Sequence, residues 1–241
     1  MKNYLIRLSY DGSKYYGFQR IRNYPCIQSE VEKAISKVCK EKICIKGAGR
    51  TDKGVHALDQ CASFSSPLKI NCESMKRAIN RYLPMDIRVN SCLEVADDFH
   101  ARFSVKKKIY EYKIYLGEYN PLLVNYYYQP KEKINIRKIR KSAKVFIGLH
   151  DFKNFVSGGH DNTKSQIYKI RVFKRNNVLT IRIVGTSFYK YMVRNIVGAL
   201  LDYNKEKVTL RELKKMVEDV ANKKQLTTAV PYGLYLTKIY Y

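Results

Sequence analysis

The segment Gly47-Ala-Gly-Arg-Thr-Asp-Lys-Gly54, followed by Val55-His56-Ala57, carries one carboxylate, Asp52, between two cations, Arg50 and Lys53. Its three glycines let the backbone bend tightly and let another molecule approach it closely. Flanking positive charge favours the ionised form of Asp52 at neutral pH, and an ionised, approachable carboxylate can act as a nucleophile. The same pattern also suits an Asp that only hydrogen-bonds its own backbone in a turn. Phosphate-loop chemistry is excluded in detail. Gly49 and Gly54 have Walker spacing, but Val55 stands where Lys is required. Asp52 occupies the third-glycine position of a dinucleotide fingerprint begun by Gly47 and Gly49.

Arg194 is a second candidate, inside Tyr189-Lys-Tyr-Met-Val-Arg-Asn-Ile-Val-Gly-Ala-Leu-Leu201. From Ile196 onward this helix is apolar on nearly every side, so it should be largely buried. At helical spacing Arg194 shares a face with Val197, Gly198 and Leu201. A cation there needs an anion to offset its desolvation, and Asp52 is a fitting partner. The alternative is an Arg whose head reaches water past the basic start of the helix. Tyr110 is the third candidate, on Lys108-Ile-Tyr-Glu-Tyr112 beside Lys106-Lys107-Lys108. With 21 tyrosines in the chain, composition alone does not single it out.

Other chemistry finds no support. The four histidines form no metal-ligand spacing, and no Ser or Cys stands in a G-x-S-x-G frame. The six cysteines, at 26, 39, 44, 61, 72 and 92, contain no C-x-x-C and have no paired His ligands, so buried reduced thiols are expected rather than zinc. The stretch Ser157-Gly-Gly-His-Asp-Asn-Thr163 reads as a mobile polar loop near a binding surface.

These residues must be positioned by the elements that the hydrophobic pattern predicts. Strands are expected over 4–10, 43–45, 58–64 and 87–95, and helices over 28–39 and 73–83, the latter stopped before Pro84. In the second half the pattern predicts strands over 107–116, 166–174, 178–184 and 234–240, with a hairpin turn at Asn176-Asn177. Helices are expected there over 136–147, 189–203 and 210–221. The order β-α-β-β-α-β thus appears twice, with one extra helix. The expected architecture is α+β: two ferredoxin-like βαββαβ halves, 1–103 and 104–241, with antiparallel sheets joined around a basic cleft.

The chain holds 46 Lys and Arg against 21 Asp and Glu, a net charge of +25. So large an excess predicts a polyanionic partner, nucleic acid first. The 21 Tyr and 9 Phe among these cations suit phosphate contact with base stacking. Residues 1–103 carry a net +7 and residues 104–241 a net +18, so the second half should supply more of the phosphate grip. There is no signal peptide and no apolar run long enough to cross a bilayer, so a cytoplasmic protein without a membrane partner is expected.

Several segments together carry a resemblance that runs almost end to end. They are Tyr10-Asp-Gly-Ser-Lys-Tyr-Tyr-Gly-Phe-Gln19, Gly49 to Ala57, Phe99-His-Ala-Arg-Phe103, Lys108 to Tyr112, His150-Asp-Phe152, Phe188 to Gly198 and Gly233-Leu-Tyr-Leu236. In these the chain resembles the tRNA pseudouridine synthase A (TruA) family. The resemblance implies isomerisation of uridine to pseudouridine in the tRNA anticodon stem-loop, at nucleotides 38 to 40, with no cofactor and no catalytic metal. It implies that Asp52 is the catalytic aspartate and that Tyr110 stacks on the target base. Arg194 would pair with the aspartate, and Arg50 would take part in base flipping. It also implies a homodimer with RNA lying across both subunits. Lys53, Arg102, Lys106, Lys107, Lys108 and Lys190 are the cations expected on the RNA. Phe18 departs from the family by standing where many relatives carry Trp, and the chain is short around Asn120 to Lys133. Two rival readings remain: the same chemistry on another uridine, and a non-catalytic tRNA-binding protein, which would have no need of Asp52 and Arg194.

Overall fold

The computed structural model describes residues 1–68, 70–159 and 162–241. Two units divide the chain: Met1–Lys106 together with Tyr235–Tyr241, and Lys107–Leu234. The fold class is α+β, as the element pattern predicts.

In the first unit, β1 (Lys2–Tyr10) buries Tyr4, Ile6, Leu8 and Tyr10, the period-2 face expected of a strand. It pairs antiparallel with β3 (His56–Ser66) on one side and β4 (Ile87–Val95) on the other. Two helices, α1 (Ile27–Cys39) and α2 (Cys72–Tyr82), pack together and supply Ile27, Val31, Ala34, Ile35, Met75 and Ile79 to the core. The Asn71 side chain caps α2 by accepting from the Ser74 N–H, and the helix ends just before Leu83-Pro84, as expected. The short β2 (Lys46–Gly47) pairs with Ser63 and Ala62 of β3.

The strand expected over 43–45 does not form. Ile43 and Ile45 are buried, but their N–H groups are taken by side chains of α1. Ser36 Oγ accepts from Ile43 at 2.9 Å and Glu32 Oε1 from Ile45 at 3.1 Å. Once those donors are satisfied by the helix, no sheet ladder is needed.

The second unit is an antiparallel sheet in the order β5-β8-β7-β6, formed by β5 (Lys107–Tyr115), β6 (Gly148–Asp151), β7 (Lys164–Arg175) and β8 (Val178–Gly185). The β7–β8 hairpin turns at Asn176, whose φ of 50° suits a tight turn. The helix expected over 136–147 is shorter: α3 (Ile136–Ala143) gives way to a single 3₁₀ turn at Lys144–Phe146 and then to β6, which the pattern missed. Helix α4 (Met192–Asn204) starts three residues later than expected, because Tyr191 adopts a left-handed φ of 62°. Helix α5 (Leu210–Glu218) opens with a capping box between Thr209 and Glu212. As the pattern predicts, α4 is buried nearly all round, from Met192 to Asp202 except Arg194 and Asn195.

The closing strand, β9 (Leu234–Tyr240), has the expected bounds, but Tyr235–Tyr241 groups with the first unit rather than with the 104–241 half, and the strand pairs with β3 in parallel, not antiparallel, through His56–Tyr235 and Ala57–Leu236. Of the cysteines, Cys26, Cys39, Cys61 and Cys92 are buried free thiols, Cys72 is half-buried and Cys44 is exposed. His160 and Asp161 of the polar loop lie outside the described residues. Among the described residues no helix is long and apolar enough to cross a membrane.

Candidate active site

The loop that carries Asp52 is clamped by the arm following β1. The Phe18 N–H donates to the Thr51 carbonyl at 3.0 Å, and the Gly54 N–H to the Tyr15 carbonyl at 3.3 Å. Gly17 lies directly beneath residues 51–53 with φ +103°. A β-carbon built there would sit 2.6 Å from the Thr51 carbonyl oxygen, so only glycine fits. From the core side, the buried Tyr10 hydroxyl meets Thr51 Oγ1 at 2.8 Å, and Gln60 Nε2 donates to the Gly49 carbonyl at 3.1 Å. The loop closes on itself where the Val55 N–H donates to the Asp52 carbonyl. Beyond it, buried His56 accepts from the Gly12 N–H at Nδ1 (3.1 Å) and stacks on the Tyr235 ring at 4.7 Å.

The backbone of Asp52 is therefore fixed on both sides before any ligand binds. Its side chain is half-buried, while Arg50 and Lys53 are exposed. The Lys53 ammonium rests 3.8 Å above the Tyr16 ring, a cation–π contact that holds the chain while leaving the charge outward.

In the second unit, Arg194 is half-buried on α4 and tied to residue 229 in both directions. Its Nε donates to the Ala229 carbonyl at 2.7 Å, and its own carbonyl accepts from the Ala229 N–H at 3.1 Å. Its guanidinium lies 4.6 Å over the Tyr191 ring, with Lys190 Nζ 5.4 Å from the same ring. The 227–229 segment is anchored in turn by buried Asp202, which accepts from the Thr227 N–H and hydroxyl, both at 2.8 Å. Tyr110 of β5 is 6% exposed and packs edge-on to Phe188 at 5.0 Å. Its neighbour Tyr112 is buried, donates to the Val230 carbonyl at 3.0 Å, and has its phenol pushed well above the usual range by desolvation.

The model of the tRNA pseudouridine synthase family matches residues 7–104 and 142–241, which include both the clamped loop and α4. The chain belongs to the tRNA pseudouridine synthase A family. Relatives of that name from Thermosipho melanesiensis and Pseudothermotoga lettingae are 39% and 41% identical, over 99% and 98% of this chain and the same shares of their own. One from Borrelia hermsii is 40% identical over the whole of both chains. Among solved structures, a chain of a Cbf5-Nop10-Gar1 complex superposes with a TM-score of 0.44 at 11% identity, over 98% of this chain and 48% of that one. As a member of the tRNA pseudouridine synthase A family the chain is an enzyme, an isomerase.

Each unit holds a share of the residues singled out from the sequence. The first holds Arg50, Asp52 and Lys53 in one loop, and exposed Arg102 and Lys106 after β4. The second holds Lys107, Lys108, Tyr110, Lys190 and Arg194, with Lys190 and Arg194 gathered around Tyr191. Sequence reasoning missed the supports: Tyr10, Gly17, Thr51, Gln60 and His56 around the loop, and Tyr191 and Ala229 around Arg194. For Gly17 a signal was available, since it stands inside the Tyr10-to-Gln19 motif. For Ala229, 35 residues from Arg194, there was none.

Proposed function

We propose that this enzyme converts uridine to pseudouridine in the anticodon stem-loop of tRNA, at nucleotides 38 to 40, with Asp52 as the nucleophile. The observation that carries the reading is the clamped loop: a carboxylate on a rigid, glycine-supported backbone, flanked by two outward cations, in a chain of the synthase A family. Exchanging a C–N for a C–C glycosidic bond needs a nucleophile that is already ionised, and a carboxylate meets that need without a separate base. Its attack falls either on the sugar C1′ or on C6 of the ring.

The uridine must leave the stack first, at a cost of a few kcal/mol. Arg50, exposed beside the nucleophile, is assigned to the space the base vacates. Tyr110 is assigned to the flipped ring, and Arg194, on its tethered helix, to keeping the carboxylate charged. Lys53, Arg102, Lys106, Lys107, Lys108 and Lys190 are assigned to RNA phosphates, and the active species to a homodimer. The net charge of +25 supports an RNA partner.

The test is Asp52→Asn. Tritium release from 5-tritiated tRNA should disappear while tRNA binding stays within about threefold of wild type. Normal turnover by this variant refutes the assignment. Site-resolved mapping of pseudouridine in anticodon stem-loop RNA then decides the target nucleotide.

A further inference from the structure

Helix α3 presents a cationic stripe whose four residues have no acidic partner among the described residues. Arg137, Arg140, Lys141 and Lys144 follow one another at i, i+3, i+4 and i+7, and all four are exposed. The opposite side, Ile139, Ala143 and Phe146, is buried, so core packing fixes which way the stripe faces. The sequence has no Asp or Glu between Lys133 and His150. Glu206 pairs with Lys138 of the same helix, which is not one of the four, at 2.5 Å, and Glu132 pairs with Lys205 at 2.8 Å.

This pattern works against the helix. Like charges at i,i+3 and i,i+4 destabilise it, and the first turn, with no acid and with Arg137 and Lys138, opposes the macrodipole. Compensation is structural instead. Asn135 caps the helix by accepting from the Arg137 and Lys138 N–H groups, Asn204 donates to the Lys133 carbonyl, and Arg140 Nε donates to the Val172 carbonyl at 3.0 Å. A sequence that keeps mutual repulsion on a braced helix is locally inconsistent with its own fold, and such conflicts mark functional surfaces.

We infer that the α3 stripe is a binding surface for the sugar–phosphate backbone of the RNA substrate. The inference rests on the RNA-modifying function proposed above. Over seven residues the stripe spans about 10 Å of helix, room for consecutive phosphates of one strand. Charge complementarity selects this occupant over a second copy of so basic a chain.

The experiment compares the intact enzyme with an Arg137→Gln/Lys141→Gln/Lys144→Gln variant, leaving Arg140 on its carbonyl. Filter binding of tRNA is measured from low to high salt, with pseudouridine kinetics and a thermal melt alongside. Each lost phosphate contact lowers the slope of log K against log salt by about 0.7–0.9, so the slope should become shallower by about two. The Kd should rise at least about tenfold at physiological salt, with the loss of kcat/KM carried by KM. The melt at low salt should not fall, since repulsion is relieved. A charge-retaining Arg137→Lys variant should keep the wild-type slope. An unchanged slope and KM in an active enzyme overturn the inference and leave the proposed function standing. So does dissociation into monomers with RNA affinity intact, which would make the stripe an interface between copies. A wild-type enzyme that forms no pseudouridine in tRNA overturns the proposed function instead.

Discussion

Replacing Gly198 by alanine adds a single methyl group to α4, in a place where there is no room for one. An ideal β-carbon at Gly198 lies 1.6 Å from the carbonyl oxygen of Thr227 and 2.7 Å from its carbon. Both atoms belong to backbone, so no side-chain rotation relieves the contact. The 227–229 segment must lift off the helix. Overpacking of this kind costs about 1–3 kcal/mol. Lifting Thr227 also strips buried Asp202 of two 2.8 Å hydrogen bonds, and an unsatisfied buried acceptor costs about another 1–3 kcal/mol. Alanine returns roughly 1 kcal/mol as the better helix former. The net is a loss of about 1–5 kcal/mol, or roughly 2–20 °C in Tm for a chain of this size. The displaced segment includes Ala229, whose carbonyl holds Arg194 Nε at 2.7 Å. A misplacement of about 1 Å at a positioning group costs on the order of 10²-fold in rate, so kcat/KM should fall at temperatures where the variant is still folded. Urea melts followed by circular dichroism, with pseudouridine formation at 25 °C, check both parts. A Gly198→Ala protein with the wild-type Tm would refute the close crossing of α4 by residues 227–229, and with it the account of how Arg194 is held.

Gly17→Ala should cost about 2–4 kcal/mol, because alanine at φ +103° is strained and its β-carbon meets the Thr51 carbonyl at 2.6 Å; turnover should drop more steeply than the melting curve alone accounts for. Glu212 is held at about 2 by Lys224 and by the backbone and hydroxyl of Thr209. Its folded value lies below its unfolded one, so its contribution is present above about pH 4.5 and fades as pH falls toward 2. Across that window Glu212→Gln should show a flatter acid-stability profile than wild type. A thiol reagent at pH 8 should label exposed Cys44 first. Cys61, pushed up to about 11 by burial, should react only on unfolding, and rapid labelling at Cys61 in the native state would contradict the packing of β3.

Much of the fold could be read from local pattern because the deciding forces are local. The alternation in β1, the Pro84 stop after α2, the Asn176 turn and the run of β9 all lie within a few residues of their signals. The misreadings have tertiary causes. Ile43-Cys44-Ile45 has the look of a strand, but Ser36 and Glu32 of α1 claim its amides. The chain past Ala143 keeps helical spacing into Phe146, yet a 3₁₀ turn closes there and β6 pairs with β7 instead. The start of α4 is set by one left-handed residue, Tyr191, which no propensity scale singles out. For the candidate site, the motif around Asp52 could be found from sequence, whereas the groups that shape it could not.

Those supporting groups explain why the loop motif and the Tyr10-to-Gln19 motif occur in the same chain. Neither is held mainly by a helix or strand of its own. The loop has two exposed cations and three glycines, and its residues 48–55 form no helix or strand of their own. The arm after β1 likewise has no secondary structure of its own up to Ile27. Each supplies the partners the other lacks: carbonyls of Thr51 and Tyr15 accept from amides of Phe18 and Gly54, and Gly12 and His56 bond across the far end. The floor is the pair Tyr10 and Gln60, from adjacent strands. Ordering such a loop costs about 1–2 kcal/mol per residue. Because that cost is met during folding, a reaction that uses Asp52 need not meet it again at the transition state, which is what preorganisation requires of a nucleophile's backbone. It follows that substitutions in the arm, remote in sequence from Asp52, should act on kcat as strongly as substitutions in the loop itself.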